Sequence, residues 1–307
     1  MKNILFILTL LISFSTLLIA QELNINYHIQ GTLLTPEKKS NTIAIIIPGS
    51  GPTDRDGNQN FMKNNSLKFL AQDLVKNNIA SYRYDKRALT MLKKGATEKK
   101  IKQIRFDDFV DDTRKVVAYF RDRDLYDNIF IIGHSQGSLV GMLAATKKVD
   151  GFISIAGAGN TIDNVILEQI EKMGAHKLVE SAKNSFEIMR KGKIDKNFNP
   201  ALANIFNLDT QPFMMNWMSY SPNKEIKKLN IPILIINGSN DIQVSIEEAK
   251  LLNENSKNSK LVIVEDMNHI FKTVLSKSTQ ENTKTYNMPL LKNDPKLSEA
   301  IISFIKK

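Results

Sequence analysis

The fold is decided by the stretch IFIIGHSQGSLVGM, which runs from Ile129 to Met142. It begins with apolar β-formers and ends in an apolar pattern typical of a helix. Between them lies GHSQG (133–137), the Gly-x-Ser-x-Gly pattern of a strand that turns directly into a helix. Glycines on both sides of Ser135 allow the strand and the helix to approach closely. The pattern predicts that the Ser135 hydroxyl projects at the carboxyl edge of a sheet, beside a helix N-terminus that favours negative charge.

Other short β-type runs alternate with helical patterns along the chain. The strand-like segments are Thr42–Pro48, Ile79–Tyr84, Asn128–Gly133, Gly151–Gly157, Pro232–Gly238 and Lys260–Glu265. They are continuously apolar, as strands buried on both faces of a parallel sheet are. Residues 22–36 alternate instead and predict an antiparallel hairpin at one edge. We therefore expect an α/β fold, a mostly parallel sheet with helices on both faces.

A nucleophilic serine needs a base, and the base needs a carboxylate to orient it. Of the four histidines, only His269 follows the last strand at the carboxyl edge of the sheet. Asp241 follows the preceding strand at the same edge. The order Ser135, Asp241, His269 is the Ser…Asp…His order of this strand–turn–helix architecture. Glu265 and Asp266 are competing acids, but they lie on the loop of His269 itself, so Asp241 is the preferred partner.

Attack by serine on an acyl carbon creates an oxyanion, which needs two backbone N–H donors. The amide of Gln136, directly after the serine, is one candidate. The second should come from the loop PGSGPTDRDGN (48–58), with the amide of Ser50 as first choice and that of Gly51 as second. Within this loop, residues 54–56 (Asp-Arg-Asp) predict a salt-bridge cluster that braces it, and residues 83–88 are expected to brace the same edge.

Residues 160–230 interrupt the strand–helix alternation. They contain amphipathic helical patterns and the segment QPFMMNWMSYSP (211–222), which is rich in methionine and aromatic residues. Such an insertion is typical of a lid over a pocket; alternatively, its apolar residues pack it against the core. We expect a leader (1–20), a core in two parts (21–159 and 231–307) and this helical lid.

After the insertion, the spacing of Ser245 and Glu248 is that of a capping box. In a capping box each of the two side chains accepts a hydrogen bond from the backbone of the other residue. The pair therefore predicts a helix that begins at this point.

The first twenty residues resemble a cleaved export signal. Lys2 precedes the apolar run ILFILTLLISFSTLLI, and Ala20 stands where a signal peptidase cuts. The alternative is a membrane anchor, but Thr9, Ser13 and other hydroxyl residues dilute a run barely long enough to span a bilayer. We expect export to the periplasm or the medium, without stable membrane insertion after cleavage.

Composition excludes several functions. The chain of 307 residues has no cysteine, so disulfides, a lipidated cysteine and a thiolate nucleophile are impossible. Its net charge of +10 comes from scattered lysines, and the sequence has no motif in which basic and aromatic residues alternate. We therefore expect no nucleic-acid partner. Since a serine mechanism needs neither a metal nor an organic cofactor, we expect none.

The motifs PGSGPxDRDGN, RYDKR, GHSQG, NGSNDxQV and MNHIF together resemble those of bacterial esterase-like serine hydrolases of the α/β-hydrolase superfamily. They extend from about Thr42 toward the C-terminus. One departure is Pro48-Gly49, where many relatives have His-Gly. The resemblance implies the α/β-hydrolase fold with a lid, and a catalytic triad at the positions named above.

Hydrolysis of a small carboxylic ester through an acyl-enzyme is the leading functional prediction. An aminopeptidase or acylaminoacyl-type peptidase with the same triad is the first alternative. It requires an acid near the lid, for which Glu168, Glu171 and Glu180 are candidates. A thioesterase and a non-catalytic binding protein of the same fold are further alternatives.

Overall fold

The computed structural model describes residues 19–145 and 148–307, and these contain an eight-stranded sheet. The strands are β1 (Ile19–Asn24), β2 (Gln30–Thr35), β3 (Thr42–Ile47), β4 (Ala80–Tyr84), β5 (Asn128–His134), β6 (Gly151–Ile155), β7 (Ile233–Gly238) and β8 (Ser259–Val264). Their spatial order is β1-β2-β4-β3-β5-β6-β7-β8. β1 and β2 form the predicted antiparallel edge hairpin, and β2 also pairs antiparallel with β4; the other neighbours are parallel. The predicted fold class is confirmed.

The helices cover both faces of the sheet. They are α1 (Ser66–Lys76), α2 (Arg87–Lys93), α3 (Glu98–Ile101), α4 (Phe106–Arg121), α5 (Gln136–Ala144), α6 (Ile162–Lys172), α7 (His176–Arg190), α8 (Ala203–Phe206), α9 (Gln211–Met218), α10 (Pro222–Glu225), α11 (Ile246–Asn255), α12 (Thr279–Lys284) and α13 (Pro295–Ile305). α4, α5 and α11 pack on one face, and α1 and α13 pack on the other.

The continuously apolar strands supply both cores. In β3, Ile43, Ile45 and Ile47 contribute to the core under α4 and α5, while Ala44 and Ile46 contribute to the core under α1 and α13. Successive side chains of a strand point to opposite faces, so a strand covered on both sides needs an apolar residue at every position. This explains the absence of alternation in the central strands.

The helical insertion (160–230) comprises α6 to α10, between β6 and β7. It has an apolar cluster of its own, formed by Ile170, Ala182, Phe186, Met189, Leu202 and Phe206. It is also attached to the rest of the protein through α9 and the residues directly after it. There Trp217 stacks on Phe106 of α4 at 5.6 Å, and Asp107 accepts hydrogen bonds from Asn216 and Tyr220. The domain boundaries themselves stay a prediction from the sequence.

Residues 1–18 of the predicted leader lie outside the described residues. Its last two residues, Ile19 and Ala20, begin β1 and pair with Thr35 and Leu34. Within the described part of the chain, none of the helices combines the length and the apolarity that a bilayer crossing requires.

The predicted capping box at α11 is wrong. Ser245 occupies the N-cap position but makes no side-chain capping hydrogen bond. The Glu248 side chain is buried and turns to the start of the helical insertion instead. There its carboxylate accepts hydrogen bonds from the amides of Gly159 (2.6 Å) and Asn160 (2.7 Å), and from the side chain of Asn160 (2.7 Å). The Glu248 carboxylate therefore binds two backbone donors outside the helix and not the helix N-terminus.

Glu248→Ala should lower the free energy of unfolding by about 3 kcal/mol. The substitution leaves the buried N–H of Gly159 and the partly buried N–H of Asn160 without an acceptor. Hydrogen bonds to a charged acceptor contribute about 1.5–3 kcal/mol each. Equilibrium unfolding in urea measures the change.

Glu247→Ala is the matched control, since Glu247 lies one residue away with a side chain that is 75% exposed. It should change stability by no more than about 0.5 kcal/mol. Equal effects of the two substitutions would show that the Gly159–Glu248 contact does not stabilise the fold.

Candidate active site

Ser135 occupies a strained turn between β5 and α5. Its φ of 54° and ψ of −120° lie in a region that non-glycine residues rarely adopt. The turn needs glycine on both sides. A Cβ on Gly133 would lie 2.2 Å from the carbonyl oxygen of Gly137, and a Cβ on Gly137 would lie 2.5 Å from that of Ile47. The two glycines therefore permit the close contact of β5, α5 and β3, as the sequence predicted.

Asp241 and His269 form a buried hydrogen-bonded pair at the carboxyl edge of the sheet. Asp241 Oδ2 accepts a hydrogen bond from His269 Nδ1 at 2.8 Å, and the two side chains are 1% and 4% exposed. The other carboxylate oxygen, Oδ1, accepts from the amides of Gln243 (2.8 Å) and Val244 (2.9 Å). With both oxygens occupied, the carboxylate has a fixed orientation and holds His269 so that Nε2 is the free ring nitrogen.

The loops that carry Asp241 and His269 are joined directly. Asn240 donates its amide to the carbonyl oxygen of Met267 at 3.0 Å, and its side chain donates to the carbonyls of Val274 and Ser276. Asn282 returns a hydrogen bond to the carbonyl of Asn240 at 2.7 Å. These contacts fix the distance between the carboxylate and the imidazole. The competing acid Asp266 pairs with Lys277 instead.

His134, next to the serine, links the turn to the histidine loop, a role that the sequence analysis did not assign. His134 Nε2 lies 2.9 Å from the carbonyl oxygen of His269, and the two rings are 4.9 Å apart between centroids. Because a carbonyl only accepts, Nε2 of His134 carries the proton. Burial, with a smaller contribution from His269, lowers the pKa of His134 to about 3, so its ring is neutral. Within the described structure Ser135 Oγ makes no hydrogen bond to His269.

The three residues whose amides are predicted to bind an oxyanion line two adjoining cavities. Ser50 and Gln136 both line the cavity that contains Ser135, and Gly51 lines the adjoining cavity. Among the described residues, none accepts a hydrogen bond from the amides of Gln136, Ser50 or Gly51. The carbonyl of Ser50 is fixed by Thr53 Oγ1 at 2.7 Å and Gln59 Nε2 at 3.0 Å. This loop is therefore held in place while its amides stay available.

The two charged segments predicted to brace this edge pair with each other. Arg55 forms two hydrogen bonds to the carboxylate of Asp85, and Arg83 donates to Asp56 at 2.9 Å. Asp54 forms no ion pair with any described residue; it accepts hydrogen bonds from the backbone amides of Asp56 and Asn58. The ion pairs tie the loop after β3 to the end of β4, beside the serine.

Two cavities meet at Ser50, Gln136 and Trp217. The serine cavity, about 320 Å³, contains Ser135 and is lined on the opposite side by the helical insertion: Ile162, Val165, Ile166, Ile170, Met173 and Ile205. The second cavity, about 530 Å³, lies between the loop after β3, the region of α2 to α4 and α9. The insertion thus forms a wall of the serine cavity, in addition to packing on itself.

Lys86 lines the second cavity and is 6% exposed. Its ammonium donates to Gln136 Oε1 and lies 4.7 Å from the centroid of the Phe109 ring. Burial lowers the pKa of Lys86 to about 7. Lys86 belongs to the segment 83–88 that is predicted to brace this edge, but its side chain contacts Gln136, the residue that follows the serine.

The acids considered for a peptide amine lie outside both cavities. Glu168 pairs with Lys172, Glu171 lies beside His176, and Glu180 is exposed. Nor is any group of three His, Cys, Asp or Glu arranged to hold a metal ion in the ranges 19–145 and 148–307.

A parallel sheet with an antiparallel edge, a serine on a strained strand-to-helix turn and a helical insertion before the penultimate strand define an α/β-hydrolase. The sequence profile of the family described as serine aminopeptidase, S33, matches residues 64–272. The chain belongs to this family of α/β-hydrolases. The matched range includes Ser135, Asp241 and His269, but it begins after Ser50 and Gly51.

Known proteins with related sequences and structures include several esterases. The chain is 26% identical to esterase EstD of Thermotoga maritima over 239 residues, which are 76% of this chain but only 56% of EstD. Est1E from Butyrivibrio proteoclasticus, solved with ferulic acid, superposes with a TM-score of 0.56 at 18% identity, covering 91% of this chain and 97% of Est1E. The acylaminoacyl peptidase of Pyrococcus horikoshii superposes with a TM-score of 0.56 at 13% identity, covering 96% and 42%. These superpositions support the fold.

Lys86→Met should flatten the dependence of stability on pH between about pH 7 and pH 10. In the folded protein Lys86 loses its proton at about pH 7, whereas the unfolded chain keeps it up to the ordinary lysine value of 10.5. The unfolded state therefore binds more protons in this range, and the free energy of unfolding of the wild type rises with pH. One such group contributes at most about 1.4 kcal/mol per pH unit.

Urea unfolding of wild type and Lys86→Met at several pH values measures the two slopes. Part of the rise should persist in the variant, since burial lowers the pKa of Lys272 to about 7 as well. Parallel curves for the two proteins would contradict the assignment.

Proposed function

We propose that the protein is a serine carboxylesterase that hydrolyses small esters through an acyl-enzyme. The observation that carries this proposal is the buried hydrogen bond between Asp241 Oδ2 and His269 Nδ1, at 2.8 Å, beside a serine on a strained turn. The pair orients the free Nε2 of His269 for use as a general base. The relative EstD of Thermotoga maritima is an esterase, which supports this activity.

In the proposed reaction, Ser135 Oγ attacks the acyl carbon while His269 Nε2 removes its proton. The hydrogen bond between Oγ and Nε2 forms in the substrate complex, as is common for catalytic hydrogen bonds that are absent or long without substrate. Asp241 stabilises the imidazolium. The proton then passes to the leaving alcohol, and a water molecule, activated by the same imidazole, releases the acid.

The oxyanion of each tetrahedral intermediate accepts hydrogen bonds from the amide of Gln136 and from the amide of Ser50, with Gly51 as the second choice. These amides have no protein acceptor among the described residues, and the Gln136 amide lies at the N-terminus of α5. Donors fixed before the reaction stabilise developing charge without reorganisation. His134, which ties the turn to the carbonyl of His269, acts as a positioning residue.

The serine cavity favours an ester over a peptide amine. Its wall on the insertion side is mostly aliphatic, and no aspartate or glutamate lines it. An aminopeptidase binds the protonated N-terminus of its substrate, and a buried ammonium without a carboxylate partner is costly. A small apolar acyl or alkyl group fits this cavity without that cost.

We also infer that the protein is exported, with residues 1–20 removed as a signal peptide. Lys2, the apolar run after it and Ala20 support this inference. Cleavage after Ala20 leaves Gln21–Asn24 of β1, whose partners in β2 are Leu33 to Gln30. The edge hairpin would therefore persist in the mature protein.

Ser135→Ala should abolish hydrolysis of p-nitrophenyl acetate and p-nitrophenyl butyrate, because it removes the nucleophile. Steady-state rates of the purified wild type and variant test this, with an aminoacyl-nitroanilide as the peptide-like substrate. We expect turnover of both esters and little or none of the nitroanilide. Equal ester rates in wild type and variant would refute the proposed function.

Asp241→Asn should lower the turnover of the same p-nitrophenyl esters. An amide at this position favours the wrong tautomer of the imidazole, and in serine proteases the equivalent change lowers kcat on the order of 10⁴-fold. We expect a loss of this order with the variant still folded, as judged by its thermal unfolding.

Export is tested by expressing the full chain with a C-terminal tag in a bacterial host and separating the cell fractions. The mature protein should appear outside the cytoplasm, and mass spectrometry should place its first residue at Gln21. An uncleaved N-terminus in a protein that stays in the cytoplasm would contradict the inference.

A further inference from the structure

The second cavity combines apolar walls with one buried lysine, Lys86. Its lining includes Pro52, Leu92, Ile104, Phe109, Phe213 and Trp217, and it adjoins the serine cavity at Ser50 and Gln136. A group attached to an ester at Ser135 can therefore extend into it. The aromatic and aliphatic walls suit an apolar chain or ring.

Lys86 lacks the partners that a buried ammonium normally has. An ammonium has three hydrogen-bond donors, and in the described structure Lys86 uses one of them, for Gln136 Oε1. No carboxylate of the described residues lies within 4.0 Å of it. Burying a charge without a counter-charge is strongly unfavourable.

Two other lysines show that this situation is not general in the protein. Lys272 is also buried, but it donates to the carbonyl of Leu291 at 2.8 Å and to Asn293 Oδ1 at 2.9 Å. Lys102, which lines the second cavity too, is 45% exposed and pairs with Asp209 and Glu98. Of the two lysines that line this cavity, Lys86 is the one that is buried and has no carboxylate partner among the described residues.

Building on the proposed esterase function, we propose that the second cavity binds a carboxylate-bearing part of the substrate, with its apolar portion against Phe109, Phe213 and Trp217 and its carboxylate on Lys86 Nζ. The carboxylate supplies the missing counter-charge and acceptors, and charge-assisted hydrogen bonds are stronger than neutral ones. The substrate class is therefore an ester whose acyl or alcohol part ends in a carboxylate.

Binding tests this proposal independently of catalysis. Trp217 lines both cavities and is the single tryptophan of the chain, so its fluorescence reports their occupancy. The probes are 4-phenylbutyrate and its neutral amide, which have the same shape and no ester bond. We expect wild type to bind the carboxylate on the order of 10-fold more tightly, the effect of one hydrogen bond to a charged group.

The preference should fall to within about twofold in Lys86→Met, which removes the charge but keeps the apolar stem, and should persist in Lys102→Met, a control with the same change in net charge. If Lys86→Met does not fold, Lys86→Gln makes the same test. A wild type without preference for the carboxylate, or a preference that persists in the Lys86 variants, would overturn the proposal.

Hydrolysis then identifies the side of the ester that carries the anion. The first pair of substrates, 4-acetoxyphenylacetate and its amide, carries the carboxylate or the neutral amide on the alcohol part of the ester. The second pair, the p-nitrophenyl monoester of adipate and its amide, carries it on the acyl part. We expect kcat/KM to favour the carboxylate in one pair, and only when Lys86 is present. Absent turnover of every ester, neutral ones included, would reject the esterase function, while the fluorescence titration still decides the binding proposal.

Discussion

The geometry of the site depends on one close contact, that of Gly137 with the end of β3. The α-carbon of this glycine passes so near the carbonyl of Ile47 that no side chain fits between them. This contact places α5 directly against the sheet, next to the turn in which Ser135, two residues before Gly137, has its strained conformation. Without it, the hydroxyl would not project from the edge of the sheet, and the amide of Gln136 would not lie beside the loop that carries Ser50.

The buried histidine next to the serine, His134, carries no positive charge. His134 is neutral because burial and the neighbouring imidazole oppose its protonation. In the mechanism that we propose, His269 is therefore the histidine that gains a proton, with Asp241 as its counter-charge. The imidazolium of the proposed mechanism forms next to the carboxylate of Asp241, and the low dielectric of the buried site strengthens the attraction between the two charges.

The sequence was most informative where local chemistry is restrictive. Gly-x-Ser-x-Gly allows few backbone paths, and continuous apolarity leaves few places for a strand, so the sheet and the Asp241–His269 pair could be predicted. Glu248 could not, because the capping-box spacing is local, whereas the amides of Gly159 and Asn160 that bind its carboxylate lie 88 to 89 residues away. The contacts of Lys86 and His134 also depend on loops brought together by folding, and neither residue stands in a motif that reveals its partner.

The helical insertion is held at its two ends and filled in its middle by its own side chains. Glu248 fixes its beginning and Asp107 fixes α9, while Phe186 and Phe206 pack against each other at 4.7 Å between ring centroids. Substitutions in the apolar cluster of the insertion can change the shape of the wall that it contributes to the serine cavity. They need not disturb the sheet, whose loops carry Ser135, Asp241 and His269. Substrate selectivity and catalytic activity can therefore change at different rates during evolution, because the insertion and the sheet are stabilised by separate apolar cores.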